Sequence, residues 1–318
     1  MAREKNSKKA AASQGRLQGS QFNNERFNSI VAKALEKKDF KSIEEANQFL
    51  QESMAGRGLD ELMGAIEMTA EESAQELAYQ AMDAQDERSA IRLAKQALAL
   101  DPLNVDASMV VIGCTAKTQE EKVDLIRETL ERAKQKLGPK FFAENKGHFW
   151  GKIETRPYMR ARCDLVYVLT ELDRIDEAIV ECESMLELNP NDNQGMREVL
   201  LGLYLRQRDT KKARKLMSRY KEPMFAVWCY GQLLECLLSR NISGAERALQ
   251  RARSVNPHVA DFLIGRRELR DSGFGSYSMG SEEEAVHCLN MLGPAFLAHP
   301  QSIEWIAARV LGWPLRRK

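Results

Sequence analysis

The chain runs to 318 residues, with 47 Lys and Arg against 46 Asp and Glu, a formal charge of +1, and 9 Pro beside 19 Gly. A hydrophobic fraction of 43 % with 29 % charged residues excludes global disorder and suits a helical protein, either one elongated domain or two compact ones. No stretch reaches the roughly 18 to 20 uninterrupted apolar residues of a membrane-spanning helix, and mean hydropathy is −0.46, so no membrane insertion is expected.

Residues 1–22 carry Arg3, Lys5, Lys8, Lys9 and Arg16 against Glu4 and lack apolar periodicity, which predicts a disordered basic tail. No apolar signal core follows the charged start, so a cytoplasmic protein is expected. From 23 to 66 a helical hairpin is predicted: Phe27, Ile30, Val31, Ala34 and Leu35 share one helical face, and Ser42 with Glu45 forms a capping box ahead of Ala46, Phe49 and Leu50.

A repeat array is predicted over 67–264. Thr69 and Glu72 open a helix with Ala74, Leu77, Ala78 and Ala81 on one face; after Asp83 to Asp86 a second helix carries Ala90, Ala94, Ala97 and Leu98 and stops at Asp101-Pro102. The same grammar returns at 158–190, ending at Asn189-Pro190, and at 226–257, ending at Asn256-Pro257. Each time an alanine stands twelve residues before the proline: Ala90, Ala178 and Ala245. Between them lies a pair at 194–207 and 210–220, with Ala213 in the corresponding slot and no proline at its end. Pro190 and Pro257 are 67 residues apart, close to twice 34; Pro102 and Pro190 are 88 apart, which leaves an insertion, placed at 137–157 around Gly138-Pro139. The segment 265–318 reads as a loop and a C-terminal helical pair covering the last repeat's apolar face, with Trp305 and Trp313 as an alternative docking patch.

The period, the small residue at the helix contact and the terminating proline resemble the tetratricopeptide repeat, most closely in Arg174-Ile175-Asp176-Glu177-Ala178-Ile179 through Leu188-Asn189-Pro190. The usual aromatic and glycine positions of the first helix are mostly Ala, Leu or Val here. A wider likeness runs through His148-Phe149-Trp150-Gly151, Glu154 to Arg162, Leu188 to Gly195, Asn256-Pro257-His258-Val259, Gly280 to Val286 and Asp39 to Ala46. These stretches resemble bacterial tetratricopeptide proteins related to the suppression-of-tumorigenicity family. That resemblance implies an all-α, right-handed superhelical solenoid of helical hairpins acting as a scaffold, with no reaction attached. Animal members of the family are membrane-associated, and this chain lacks the hydrophobic segments for it.

Chemistry-bearing clusters are sparse. Six dispersed cysteines (Cys114, Cys163, Cys182, Cys229, Cys236, Cys288) without a CxxC pair read as reduced buried thiols, with no metal, disulfide framework or cofactor. The four histidines have no partner at a diagnostic spacing, there is no GxSxG, HExxH or Walker-type run, and Gly273-Phe274-Gly275 reads as a loop. The richest cluster is 148–162. With a helix starting near Pro157, Arg156 and Arg160 stack at i, i+4 and could hold a carboxylate or phosphate; in the alternative, Glu154 and acidic residues of neighbouring helices neutralise them and pin the insertion. The turn 189–195 is explained by helix capping.

The expected activity is therefore non-catalytic: a groove lined by the first helix of each pair presents Arg156, Arg160, Tyr167, Glu198 and Tyr204 to a protein or peptide partner. Two alternatives stand beside it. The basic run 206–220, in which Arg206, Arg208, Lys211, Lys212, Arg214, Lys215 and Arg219 oppose only Asp209, could meet nucleic acid, though no aromatic interleaves it before Tyr220. An enzyme pocket could form at 138–158. A grip on an acidic C-terminus like that of cochaperone repeats is not supplied by Arg160, Cys163, Asp164 and Tyr167.

Overall fold

Local capping sets the helix starts. In a computed structural model that describes residues 24–29, 31–33, 35, 40–54, 68–222, 224–268 and 277–312, all the regular structure of the described residues is helical. None of these helices is long and apolar enough to cross a membrane. Expectations for the tail 1–22, for Gly273-Phe274-Gly275, for Trp313 and for the side chains of Ile30, Ala34, Ala46 and Leu50 fall outside the described residues.

Residues 24–29, 31–33 and 35 are helical and lie along the second of the helices that follow, through ion pairs of Arg26 with Glu76 and Lys33 with Glu72. Helix α1 is Ile43–Met54, with the Glu45 N–H donating to Ser42 Oγ at 3.2 Å. Helix α2, Ala70–Met82, opens at Thr69 and Glu72 as expected, and there they form a capping box: the Glu72 N–H donates to Thr69 Oγ1 at 3.3 Å, and the Thr69 N–H to the Glu72 carboxylate at 2.6 Å. Asp86, Asn104 and Thr118 cap α3 (Glu87–Leu100), α4 (Val105–Thr115) and α5 (Gln119–Asn145) in the same way. Helix α5 is broken at Gly138, whose φ of 77° only glycine adopts freely, just ahead of Pro139. Two short 3-10 turns, Phe149–Gly151 and Ile153–Thr155, lead into α6, Arg156–Glu171.

The chain packs as two units, residues 1–168 and 169–318. In the first, α2, α3 and α4 pack on one another and α4 on α5. Their contact is made of alanine: Ala74, Ala78, Ala94, Ala97 and Ala107 are wholly buried, with Leu77, Leu93 and Val110 around them. Small side chains bury little area each but let the helix backbones come close, so contact density replaces side-chain bulk. The predicted insertion is fixed by aromatics. Phe149, wholly buried, has ring centroids of Phe142 and Phe141 at 4.9 and 6.0 Å and of Tyr158 at 6.3 Å, and the Thr155 hydroxyl donates to its carbonyl.

The second unit holds α7 (Ile175–Leu188), α8 (Met196–Arg206), α9 (Thr210–Arg219), α10 (Ala226–Leu238), α11 (Ile242–Val255), α12 (His258–Leu263), α13 (Glu282–Ala298) and α14 (Pro300–Leu311). Three of its turns are the same object. Asp173, Arg208 and Arg240, each two residues before α7, α9 and α11, take φ of 59°, 62° and 59°. In each case the next N–H reaches back five residues: Arg174 to Leu169 O at 2.9 Å, Asp209 to Tyr204 O at 2.8 Å, Asn241 to Cys236 O at 2.8 Å. The fourth residue of each following helix, Ala178, Ala213 or Ala245, is wholly buried.

A left-handed conformation in a residue with a Cβ carries a backbone penalty of about 1 kcal/mol or more. Arg240 is exposed, so Arg240→Gly should relieve that strain, less the extra freedom glycine brings to the unfolded chain, for a gain of about 0.5 kcal/mol. A thermal melt should move up by about 1 to 2 °C; an unchanged or lower midpoint rejects the strain argument.

The C-terminal pair reaches further than expected. Besides α10 of the last pair, α13 lies against α8, with α12 and α14 beside it. The reason is in α8, which is apolar on every side: Val199, Leu200, Leu201, Leu203, Tyr204 and Leu205 are all buried and need cover all round. Glu284 of α13, 1 % exposed, caps α10 by accepting the Ala226 N–H at 3.0 Å, and it accepts the Gly280 N–H at 2.7 Å and Asn256 Nδ2 at 2.9 Å.

Candidate functional site

Arg156 and Arg160 do share a face of α6, and both reach the same carboxylate. Arg160 Nη1 lies 2.9 and 2.8 Å from the two oxygens of Glu25, and Arg156 Nη1 lies 3.3 Å from Glu25 Oε1. The other edge of Arg160 forks onto Asp106 at the start of α4, Nε to Oδ1 at 3.1 Å and Nη2 to Oδ2 at 2.6 Å. Arg156 also donates to the Trp150 carbonyl at 3.0 Å with its guanidinium over the indole. Glu25 and Asp106 are 0 % and 2 % exposed. Around them Gln75 donates to Asp106 at 2.7 Å, Asn104 to Gln75 at 3.0 Å, and the Tyr79 hydroxyl to Glu25 at 3.3 Å.

Burial opposes the charge of Arg160, yet Asp106 and Glu25 outweigh it and hold the guanidinium above its ordinary range. Burial, with Asp106 and Glu25 adding to it, pushes the Tyr79 phenol up, so it stays a donor. Burial likewise pushes the neighbouring Asp164 up to about 6, Asp106 adding and Lys122 and Arg160 opposing. A guanidinium bonded along both edges to buried carboxylates has no fork left for a guest. Assigning Arg160 to a partner is therefore corrected to an internal role, joining the segment 24–35, α2, α4 and α6. Beside this lattice a cavity of about 410 Å³ is lined by Arg26, Lys33, Glu72, Glu76, Lys136, Glu154 and Pro157 among others. Three of its cations are already paired, to Glu76, to Glu72, and to Glu71 and Asp101.

In the second unit Glu198 and Tyr204 of α8 also meet partners from their own chain. Glu198 Oε2 lies 2.6 Å from His287 Nε2 of α13, and the His287 ring stacks on Tyr277 at 5.1 Å. Tyr204, 5 % exposed, donates to Glu183 of α7 at 2.6 Å; burial, then Glu183, pushes its phenol up. These two residues, expected to face a guest, are covered because α13 and α7 occupy the space around α8. Tyr167 is half-buried on α6. The turn 189–195 caps α8 through Asp192, which accepts from the Met196 and Arg197 N–H groups at 2.7 and 2.9 Å.

Beyond these contacts a recess lies where α9, α10 and α11 meet, a cleft of about 730 Å³. Arg214, Met217, Ser218 and Lys221 form one wall, Arg251 and Asn241 the other, and Cys229, Gln232 and Cys236 of α10 line it between them. Arg214 donates to Glu235 at 2.7 Å, and Trp228 turns its indole N–H to the Tyr220 carbonyl at 2.5 Å. Burial pushes the Cys229 and Cys236 thiols up, so neither is poised as a nucleophile. A shallower cleft of about 810 Å³ continues over α11, lined by Met224, Arg247, Gln250, Arg251 and Met279. Arg251 belongs to both.

No family model and no curated protein matches this chain. Sequence reasoning missed Glu25, 135 residues from its partner Arg160, because a counter-ion that distant leaves no local spacing. It also stopped the basic run at Tyr220, one residue short of Lys221; extending the charge count across 210–255 would have found ten Lys and Arg against three Glu.

Proposed function

We propose that this chain is a non-catalytic protein-interaction scaffold built on a tetratricopeptide-like solenoid, resembling the bacterial relatives of the suppression-of-tumorigenicity family. The observation that carries the reading is the repetition itself: the left-handed turn residue at 173, 208 and 240, and the buried alanine five residues on at 178, 213 and 245, recur at intervals of 32 to 35 residues. Helical pairs in a constant register stack into an array whose recesses recur between neighbours, and such arrays hold extended or helical segments of other proteins. The six cysteines are free thiols, which suits a reducing, cytoplasmic setting.

Affinity retrieval with the full chain, followed by mass spectrometry with and without nuclease, tests it. The expected result is one discrete protein recovered in near-equal amount to the bait and unaffected by nuclease. Recovery that nuclease abolishes would move the chain to nucleic-acid binding, and retrieval of nothing above background would reject the scaffold.

A further inference from the structure

Resting on the scaffold reading, we propose that the joined clefts over α9, α10 and α11 are a docking site for an acidic amphipathic peptide segment of a partner protein. Charge complementarity is the argument. Residues 210–255 hold ten Lys and Arg against Glu222, Glu235 and Glu246 in a chain of net charge +1. Each of those three acids already has a cation, Arg197, Arg214 and Arg309 respectively. On the cleft walls Lys221 and Arg247 are exposed and form no ion pair with a described residue, and Arg251, exposed and hydrogen-bonded to Cys229, lines both clefts.

The apolar half of the site is methionine. Met217 is half-buried on the first wall, while Met224 and Met279 are 58 % and 63 % exposed at the second cleft. Unbranched, polarizable side chains adapt to varied apolar partners. A segment that places Leu or Phe on the methionines and Glu or Asp towards Lys221, Arg247 and Arg251 satisfies both halves. A single strand of nucleic acid fits less well, since its bases need exposed ring faces. Trp228 is 5 % exposed, and the Tyr220 ring lies between the guanidiniums of Arg197 and Arg219, at 5.4 and 5.1 Å.

Fluorescence anisotropy on the full chain decides it. The probes are a labelled peptide of about 15 residues alternating Glu pairs with Leu and Phe, its Glu-to-Gln counterpart, and an oligothymidine of equal length. The acidic peptide should bind, the Gln peptide about tenfold more weakly. The Lys221→Glu/Arg247→Glu protein, whose circular dichroism and melting should match the parent because both positions are exposed, should lose about tenfold or more. Met224→Ser should weaken both peptides. Equal binding of the Gln peptide, no effect of charge reversal, no binding at all, or oligothymidine matching the acidic peptide would each overturn the proposal. If the acidic peptide fails while affinity retrieval still yields a discrete protein, the scaffold reading stands and only this site falls.

Discussion

Gly202→Ala should cost the second unit about 3 kcal/mol, the upper end of what overpacking usually does. A Cβ on Gly202 would lie 2.2 Å from the Met291 carbonyl oxygen, a backbone atom of α13. That carbonyl cannot swing aside as a side-chain end would, because Leu292 and Phe296 on the same helix are wholly buried. The helix must lift from α8, or α8 must bend. The gain in helix propensity, up to about 1 kcal/mol, does not offset this. Two other glycines grade the argument. At Gly231 the new Cβ would meet Leu201 Cδ2 at 2.7 Å, a flexible tip, so Gly231→Ala should cost less. At Gly293, on α13, nothing lies within 4 Å, so Gly293→Ala should be neutral or mildly stabilising. Urea midpoints for the three variants should therefore rank with Gly202→Ala far below the others. A Gly202→Ala protein as stable as the parent would mean that α13 is not seated on α8.

The seat of α13 is also where local reading and tertiary structure part. Capping boxes, turn residues and the alanine-to-proline spacing act over a few residues, so Thr69, Asn104, Ala178 and Pro190 announce their helices in sequence order. The destination of α13 is set by a hole at Gly202 and a carboxylate at Glu284 that needs the α10 N-terminus, 58 residues back from it. No periodicity encodes that. One signal was available: Val199-Leu200-Leu201-Gly202-Leu203-Tyr204-Leu205 has no polar side, and a helix without a polar side must be covered all round. Read that way, Glu198 and Tyr204 could not line an open groove, since the face they flank is taken by the chain itself. The cleft over α10 was illegible for a related reason. Its walls come from two helices more than 20 residues apart, and only their packing brings Lys221, Arg247 and the methionines to one surface.

The first unit turns on Arg160, and Arg160→Met should destabilise it by about 3 to 5 kcal/mol. The substitution keeps the length of the side chain but strands Glu25 and Asp106, both almost fully buried, leaving Glu25 with Arg156 and the Tyr79 hydroxyl, each at 3.3 Å, and Asp106 with Gln75 at 2.7 Å. Arg156→Met should cost far less, because Glu25 then keeps the two shorter bonds from Arg160. Arg160→Lys should fall between: the charge survives, but one ammonium cannot fork along two edges onto two carboxylates. The sign of the pH effect follows from which species is stranded. Protonating a carboxylate that has lost its cation removes the buried charge, so the deficit of Arg160→Met relative to the parent should be larger at pH 7.5 than at pH 5. Replacing all three charges together, Glu25→Gln with Asp106→Asn and Arg160→Met, should return part of the loss, since no buried carboxylate is then stranded and Arg156, which loses Glu25, keeps the Trp150 carbonyl. Chemical unfolding monitored at both pH values checks each step. A guest-binding role for Arg160 predicts the opposite pattern, with Arg160→Met folding as stably as the parent while partner recovery falls. The forked contact with Asp106 and Glu25 makes stability, not recovery, the quantity that changes.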